Sequence, residues 1–248
     1  MIISSTELQN NFGKYLMLAV QEDILITRNG LEIAKLTSIK ESASGYTNVT
    51  DEIHEKAPEY SLLGKKASYD EFLQLQQASD ERYEYIDGEI YLLASPKTVH
   101  QIVITELFGI FYNFFQDTNC TPIVAPYDIE LRGTSENINI VQPDIMIICD
   151  LEEKLNEDDY YKGVPSLVVE VLSKSTRRKD LIKKLDLYMS CGVREYWIVN
   201  PDNKEVTVYL FEDNNISNST TYKNSDAAQS FIFTGLSAEI RRIFRVKT

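Results

Sequence analysis

Two acidic residues lie where an ionised carboxylate is unfavourable. Asp144 follows Pro143 inside the apolar stretch 140–149, and Glu170 is the one charge in Leu167-Val-Val-Glu-Val-Leu. A charge in such a strand needs a partner or a metal to offset its desolvation. Placed on neighbouring strands, the two carboxylates make a hard oxygen site suited to Mg²⁺ or Mn²⁺, which keeps bound waters and accepts a phosphate oxygen. Such an ion acidifies the attacking water and neutralises charge at a scissile phosphate. The chemistry expected is hydrolysis of a phosphodiester. The competing reading is a structural carboxylate paired with a cation.

A third group comes from the helix expected over 180–191. At 100° per residue, Lys184 falls beside the stripe of Leu181, Leu185 and Tyr188, facing the sheet, while Lys183 points toward solvent. Lys184 is therefore expected to orient water or steady a phosphate, and Asp180 to cap the helix. Glu84, just before a hairpin turn, is a candidate third acid and metal ligand. His100, opening a long helix, is a candidate contact to phosphate or to a metal-bound water, or a structural helix-start residue. Lys174, Arg177, Arg178 and Lys183 form a basic run suited to DNA phosphates, or else a solvated helix face. Tyr188 and Trp197 are better explained as core aromatics than as base-stacking platforms.

The elements that must position these groups follow in a clear order. A short helix over 69–77 precedes a hairpin turning at Asp87-Gly88. A long helix begins near His100 with Val103, Leu107, Ile110, Phe111 and Phe114 on one face. Strands are expected over 123–131, 140–149 and 166–172. The helix stopped by Gly192 comes next, then strands from Glu195 and over 205–211. Within this order, Tyr83-Glu-Tyr-Ile-Asp-Gly-Glu, Ser95-Pro, His100-Gln, Gln142-Pro-Asp, Leu167-Val-Val-Glu-Val-Leu-Ser, Asp180 with Lys184, Tyr188, and Gly192-Val-Arg-Glu-Tyr-Trp resemble the Uma-type restriction endonuclease family across about 68–212. The resemblance implies the PD-(D/E)XK nuclease fold and a divalent metal. The lysine of that superfamily falls two residues after the glutamate, at Leu172 here; the matching family position for a lysine is Lys184.

Residues 1–37 suggest a smaller module. Ser4 and Glu7 have capping-box spacing, Leu8, Phe12, Tyr15, Leu16 and Ala19 repeat with helical period, and strands over 24–27 and 31–36 flank Asn29-Gly30. A helix and one hairpin bury little surface, so dimerisation is expected. Ile2-Ser-Ser-Thr-Glu-Leu-Gln-Asn-Asn-Phe-Gly-Lys-Tyr-Leu, Ile24-Leu-Ile-Thr-Arg-Asn-Gly and Ile33-Ala-Lys-Leu resemble the Phd/YefM antitoxins. That likeness implies a dimeric DNA-binding autorepressor able to bind a toxin, with Arg28 on the DNA surface. Residues 38–67, rich in Ser, Glu, Lys and Thr, read as a polar linker.

The composition narrows the classes. In 248 residues with a net charge of −13, nonspecific attraction to nucleic acid is disfavoured, although a local basic surface is not. No apolar run is long enough to span a membrane, and no signal peptide is evident. Cys120, Cys149 and Cys191 read as reduced, partly buried cytoplasmic thiols. The expected architecture is an α/β restriction-endonuclease-like mixed sheet flanked by helices (68–248), preceded by a small α+β dimerisation module (1–37). The leading expectation is a Mg²⁺-dependent endonuclease acting on DNA; the alternative is an antitoxin-like regulator or toxin-binding protein carrying a degenerate nuclease fold.

Overall fold

The structure is a computed structural model describing residues 1–4, 8, 15, 18–19, 22–28, 31–37, 65–133, 137–173 and 179–245. The chain divides into two compact units, Met1–Glu55 and Lys56–Thr248, at a point inside the expected linker. In the first unit, β1 (Ile2–Ser4) runs parallel to β2 (Ile24–Arg28), which pairs antiparallel with β3 (Leu31–Leu36). Arg28 lies opposite Leu31 in the register of that pair. Both residues of the expected turn, and Glu7, Phe12 and Leu16 of the expected helix, lie outside the described residues. Ile3, Tyr15, Ala19, Ile24 and Ile26 form the small core. The strand β1 ends at Ser4, the residue expected to cap the following helix, and Leu8, Tyr15, Leu18 and Ala19 are helical.

In the second unit, α1 (Tyr69–Ala78) opens with a capping box: the Glu71 N–H donates to Ser68 Oγ, and the Ser68 N–H donates to the Glu71 carboxylate. It buries Phe72 and Leu75. The hairpin of β4 (Tyr83–Ile86) and β5 (Glu89–Leu92) turns at Asp87-Gly88, both at positive φ, as a type I′ turn demands. After α2 (Thr98–Phe115) come β6 (Thr121–Val124), β7 (Ile129–Arg132), β8 (Ile138–Val141), β9 (Ile145–Ile148), α3 (Leu151–Lys154) and β10 (Leu167–Val171). A π-helical stretch, Lys179–Lys184, runs into α4 (Leu185–Ser190). Then β11 (Glu195–Asn200), β12 (Glu205–Glu212), β13 (Asn215–Lys223), β14 (Ala227–Gln229), β15 (Ser237–Glu239) and α5 (Ile240–Ile243) complete the unit.

Two expected strands are each cut in half. The stretch 123–131 becomes β6 and β7, and 140–149 becomes β8 and β9, with Pro126 and Pro143 in the gaps. A proline has no N–H to give a ladder, so a long strand breaks there. The halves join different sheets. One sheet is mixed, ordered β13-β12-β11-β10-β9-β6, with β10 and β11 parallel; the other is antiparallel, β5-β4-β8-β7. Residues 142–144 therefore carry the chain from one sheet to the other.

The mixed sheet is covered on both faces. Leu167, Val169 and Val171 pack with Val103, Leu107 and Phe111 of α2, whereas Val168 and Leu172 pack with Leu185 and Tyr188 of α4. This is the period-2 alternation of a strand buried on both sides. It places Glu170 on the α4 face.

Candidate active site

On β10, Glu170 is 4% exposed. Its Oε1 accepts from Lys184 Nζ and Tyr188 Oη, each at 2.7 Å. Lys184, 2% exposed, also meets Glu84 Oε1 at 2.7 Å. Glu84 lies fully buried on β4 and takes the Gln142 N–H at 3.0 Å. One ammonium thus bridges carboxylates from two sheets. Burying it without both partners would leave an uncompensated charge.

Asp144 stands one residue before β9, just past the register pair of Ile145 with Val169. No strand partner occupies the Val171 N–H on that side; Asp144 Oδ2 accepts it at 2.7 Å. His100, in the first turn of α2, places Nε2 3.3 Å from the same oxygen. An ionised carboxylate only accepts, so Nε2 carries the proton facing it. Asp144, Glu170, Lys184, His100 and Gln142 all line one cavity of about 810 Å³.

The donor set fits a small hard cation. Gln142 Nε2 donates to Asp128 Oδ1 at 2.7 Å, which fixes the amide, and its buried Oε1 then has no hydrogen-bond partner among the described residues. Gln142 lines the same cavity as the two carboxylates, and oxygen-only sites of this kind suit Mg²⁺ or Mn²⁺. Three carboxylates against one lysine also leave the site negative.

Several expectations change. Among the described residues no three His, Cys, Asp or Glu side chains gather to hold an ion. Glu84 pairs with Lys184, which it shares with Glu170. Lys183 does not point into solvent. Its Nζ pairs with Glu89 at 2.6 Å and lies 5.2 Å from the Tyr91 ring centroid. Desolvation pulls the Lys183 pKa down, but the bonds to Glu89 and Tyr91 outweigh it and raise the value. The regular 100° spacing fails here because residues 179–184 wind as a π-helix, a rare turn often found at functional sites.

Leu172, where the superfamily lysine would fall, is a core residue. Tyr188 is core, as expected, and also a donor to Glu170; Trp197 packs edge-on against Phe111. Lys174, Arg177, Arg178 and the side chains of Arg28 and Asp180 lie outside what the structure describes. Gln142 was missed as a donor, although Gln-Pro-Asp marked its position. The cysteine reading is corrected too: Cys120 and Cys149 form a disulfide, and only Cys191 is free, its buried thiol pushed up to about 11. The half-cystines are far apart in sequence but flank the paired residues Thr121 and Ile148 on β6 and β9, a neighbourhood that their spacing does not reveal.

Residues 69–241 match the Uma2 family, described as "Putative restriction endonuclease". The chain belongs to that family. An uncharacterized protein of Synechocystis sp. is 28% identical over 181 residues, covering 73% of this chain and 92% of its own length. The crystal structure of a "putative nuclease belonging to DUF820" from Anabaena variabilis superposes with a TM-score of 0.56 at 18% identity. It covers 71% of this chain and 96% of that one, and at that identity the likeness establishes the shared fold. Among the described residues no helix is long and apolar enough to cross a membrane.

Proposed function

We propose that this protein is a Mg²⁺- or Mn²⁺-dependent endonuclease that hydrolyses DNA phosphodiester bonds. The observation that carries it is the convergence of Asp144 and Glu170, from adjoining strands, on one cavity beside Lys184. Asp144, Glu170 and the amide oxygen of Gln142 would hold the ion, and Glu84 would stay with the lysine. When bound, the metal supplies a more acidic water and neutralises charge on the phosphate. His100 orients Asp144 through Nε2, and Tyr188 steadies Glu170 through its hydroxyl. Lys184 presents a fixed positive charge where the departing and attacking oxygens become more negative. Its place on a helix, instead of two residues after Glu170, keeps that charge beside the carboxylate all the same.

The first unit would supply dimerisation and DNA contact, as the Phd/YefM likeness implies, with Arg28 on the DNA. A module of about 37 residues buries little surface of its own, which supports an obligate partner. Light scattering should find the full chain dimeric, and a monomer would contradict this role. If instead the second unit is catalytically inert and the first acts as an antitoxin-like regulator, the chain should bind DNA or a toxin without cutting. The deciding experiment incubates the purified chain with plasmid DNA in Mg²⁺ or Mn²⁺ and in EDTA. Metal-dependent conversion of supercoiled to open or linear DNA is expected; no cleavage of the plasmid or of a single-stranded circle in either metal would overturn the endonuclease reading.

A further inference from the structure

The cavity holds more than the acidic site needs. One face of α2 follows it from Lys97 to Phe108, about 16 Å along the helix axis. On that face Ile104 and Phe108, one turn apart, join Phe244 to form an apolar wall. Arg82, before β4, Lys97, at the start of α2, and Lys204, in the β11–β12 turn, also line the cavity. Among the described residues none of the three is in an ion pair, and Lys97 and Lys204 are exposed. In a chain of net charge −13, three cations from separate segments thus line the cavity that holds Asp144 and Glu170.

We infer that this cavity takes a DNA strand as an unpaired nucleotide, with the base against Ile104, Phe108 and Phe244 and flanking phosphates on Arg82, Lys97 and Lys204. A duplex shows proteins its bases edge-on, with thymine methyls as the apolar groups of the major groove, so it offers no base face to an apolar wall. An unstacked base offers an apolar face, and aromatic side chains bind such faces with little sequence preference. The volume of about 810 Å³ is that of a small-ligand pocket. Asp202 is the one further acid lining the cavity, and it sits beside Lys204 in the same turn. The substrate class that follows is single-stranded DNA, or duplex DNA with a strand end or flap. This inference rests on the endonuclease reading for the role of the acidic end, but its test does not.

Binding is measured by fluorescence anisotropy on the full chain in EDTA and again in Ca²⁺, with three labelled probes of one length. These are a single strand, its duplex, and a fully abasic strand of the same charge. The single strand should bind about tenfold or more tightly than either of the others, since one stacked base contributes a factor of that order. Lys97→Ala and Lys204→Ala should weaken the intact and abasic strands alike and lower the salt slope by about 0.7 per lost phosphate contact. Phe108→Ala should weaken only the intact strand; because Phe108 also packs on Tyr112, the abasic probe makes the same test on unaltered protein. Duplex binding equal to single-strand binding, abasic binding equal to intact, or no single-strand binding would overturn the inference. Selective single-strand binding without any cleavage in Mg²⁺ would leave it standing and sink the endonuclease reading. Plasmid cleavage with no strand selectivity would do the reverse.

Discussion

Glu170 on β10 and Glu195 on β11 are both buried acids on adjacent strands of one sheet, yet they are held in opposite ways. Glu195 is sealed by neutral donors: Trp197 Nε1 at 2.6 Å on one oxygen, and Ser230 Oγ with the N–H groups of Phe231 and Ile232 at 2.6–3.1 Å on the other. Burial raises its pKa, and those donors offset the rise only in part. It anchors the segment after β14 to the sheet and does not line the cavity. Glu170 is held by an ammonium and a phenol, and it faces the cavity with Asp144. Burial alone does not mark a functional acid. What separates the two is whether neutral backbone and side-chain donors close the carboxylate in, or whether cationic and cavity-facing groups do.

The largest effect that would sharpen this contrast is on turnover. Asp144→Ala and Glu170→Ala should each reduce plasmid cleavage by roughly 10³-fold or more, as expected for losing an electrostatic contributor to the transition state. The variants should still melt cooperatively, because Lys184 keeps Glu84 as a partner. Glu195→Ala should keep the wild-type rate per folded molecule. It strands several buried donors and should cost about 3–5 kcal/mol, a fall in Tm on the order of 10 °C. If Glu195→Ala lost activity while keeping its Tm, the division of roles would be reversed.

Next in size is Lys184→Ala. It removes the charge proposed to steady phosphate and leaves Glu84 and Glu170 without their shared cation. A loss of roughly 10²-fold in rate is expected together with a destabilisation of about 3–5 kcal/mol. Rate assays paired with denaturant melts at neutral pH check both parts. A Lys184→Ala protein as stable as wild type at neutral pH would contradict the bridging geometry.

The adjacent lysine should matter far less. Desolvation pulls the Glu89 pKa up, but hydrogen bonds from Lys183 and Tyr91 outweigh it and hold the carboxyl below its usual range. A carboxyl lowered in the folded state contributes stability above its unfolded pKa, and that contribution fades as pH falls through the folded value. Glu89→Gln should therefore lie about 1–3 °C below wild type in Tm at neutral pH, and the gap should close in acid. A gap that widened in acid would mean that the pair is not formed.

Much of the frame was legible because its signals are local. The Ser68–Glu71 box, the Asp87-Gly88 turn, the apolar face of α2 and the stop at Gly192 each depend on a few neighbouring residues. Asp144 and Glu170 were legible as acids in apolar strands. Glu195 carries nearly the same signature, and only its long-range donors around residue 231 separate it from Glu170. The partner of Lys184 on β4 lies a hundred residues away, so Glu84 was legible as a candidate acid but its pairing with Lys184 was not. The nine-residue β13 was missed because Asn-Ile-Ser-Asn-Ser-Thr-Thr-Tyr-Lys, at the edge of its sheet, has too few apolar residues to alternate. Continuous apolar patterning hid the breaks at Pro126 and Pro143, which send each strand into a second sheet.

The central claim is that Asp144 and Glu170, and not the fully buried Glu195, hold a divalent cation. The direct measurement is a Mn²⁺ titration of the full chain followed by electron paramagnetic resonance of the free ion. Wild type and Glu195→Gln should bind with the same stoichiometry and similar affinity. Asp144→Ala and Glu170→Ala should each lose that binding while remaining folded by circular dichroism. Wild-type Mn²⁺ binding by either alanine variant, or its loss in Glu195→Gln with the fold intact, would contradict the account.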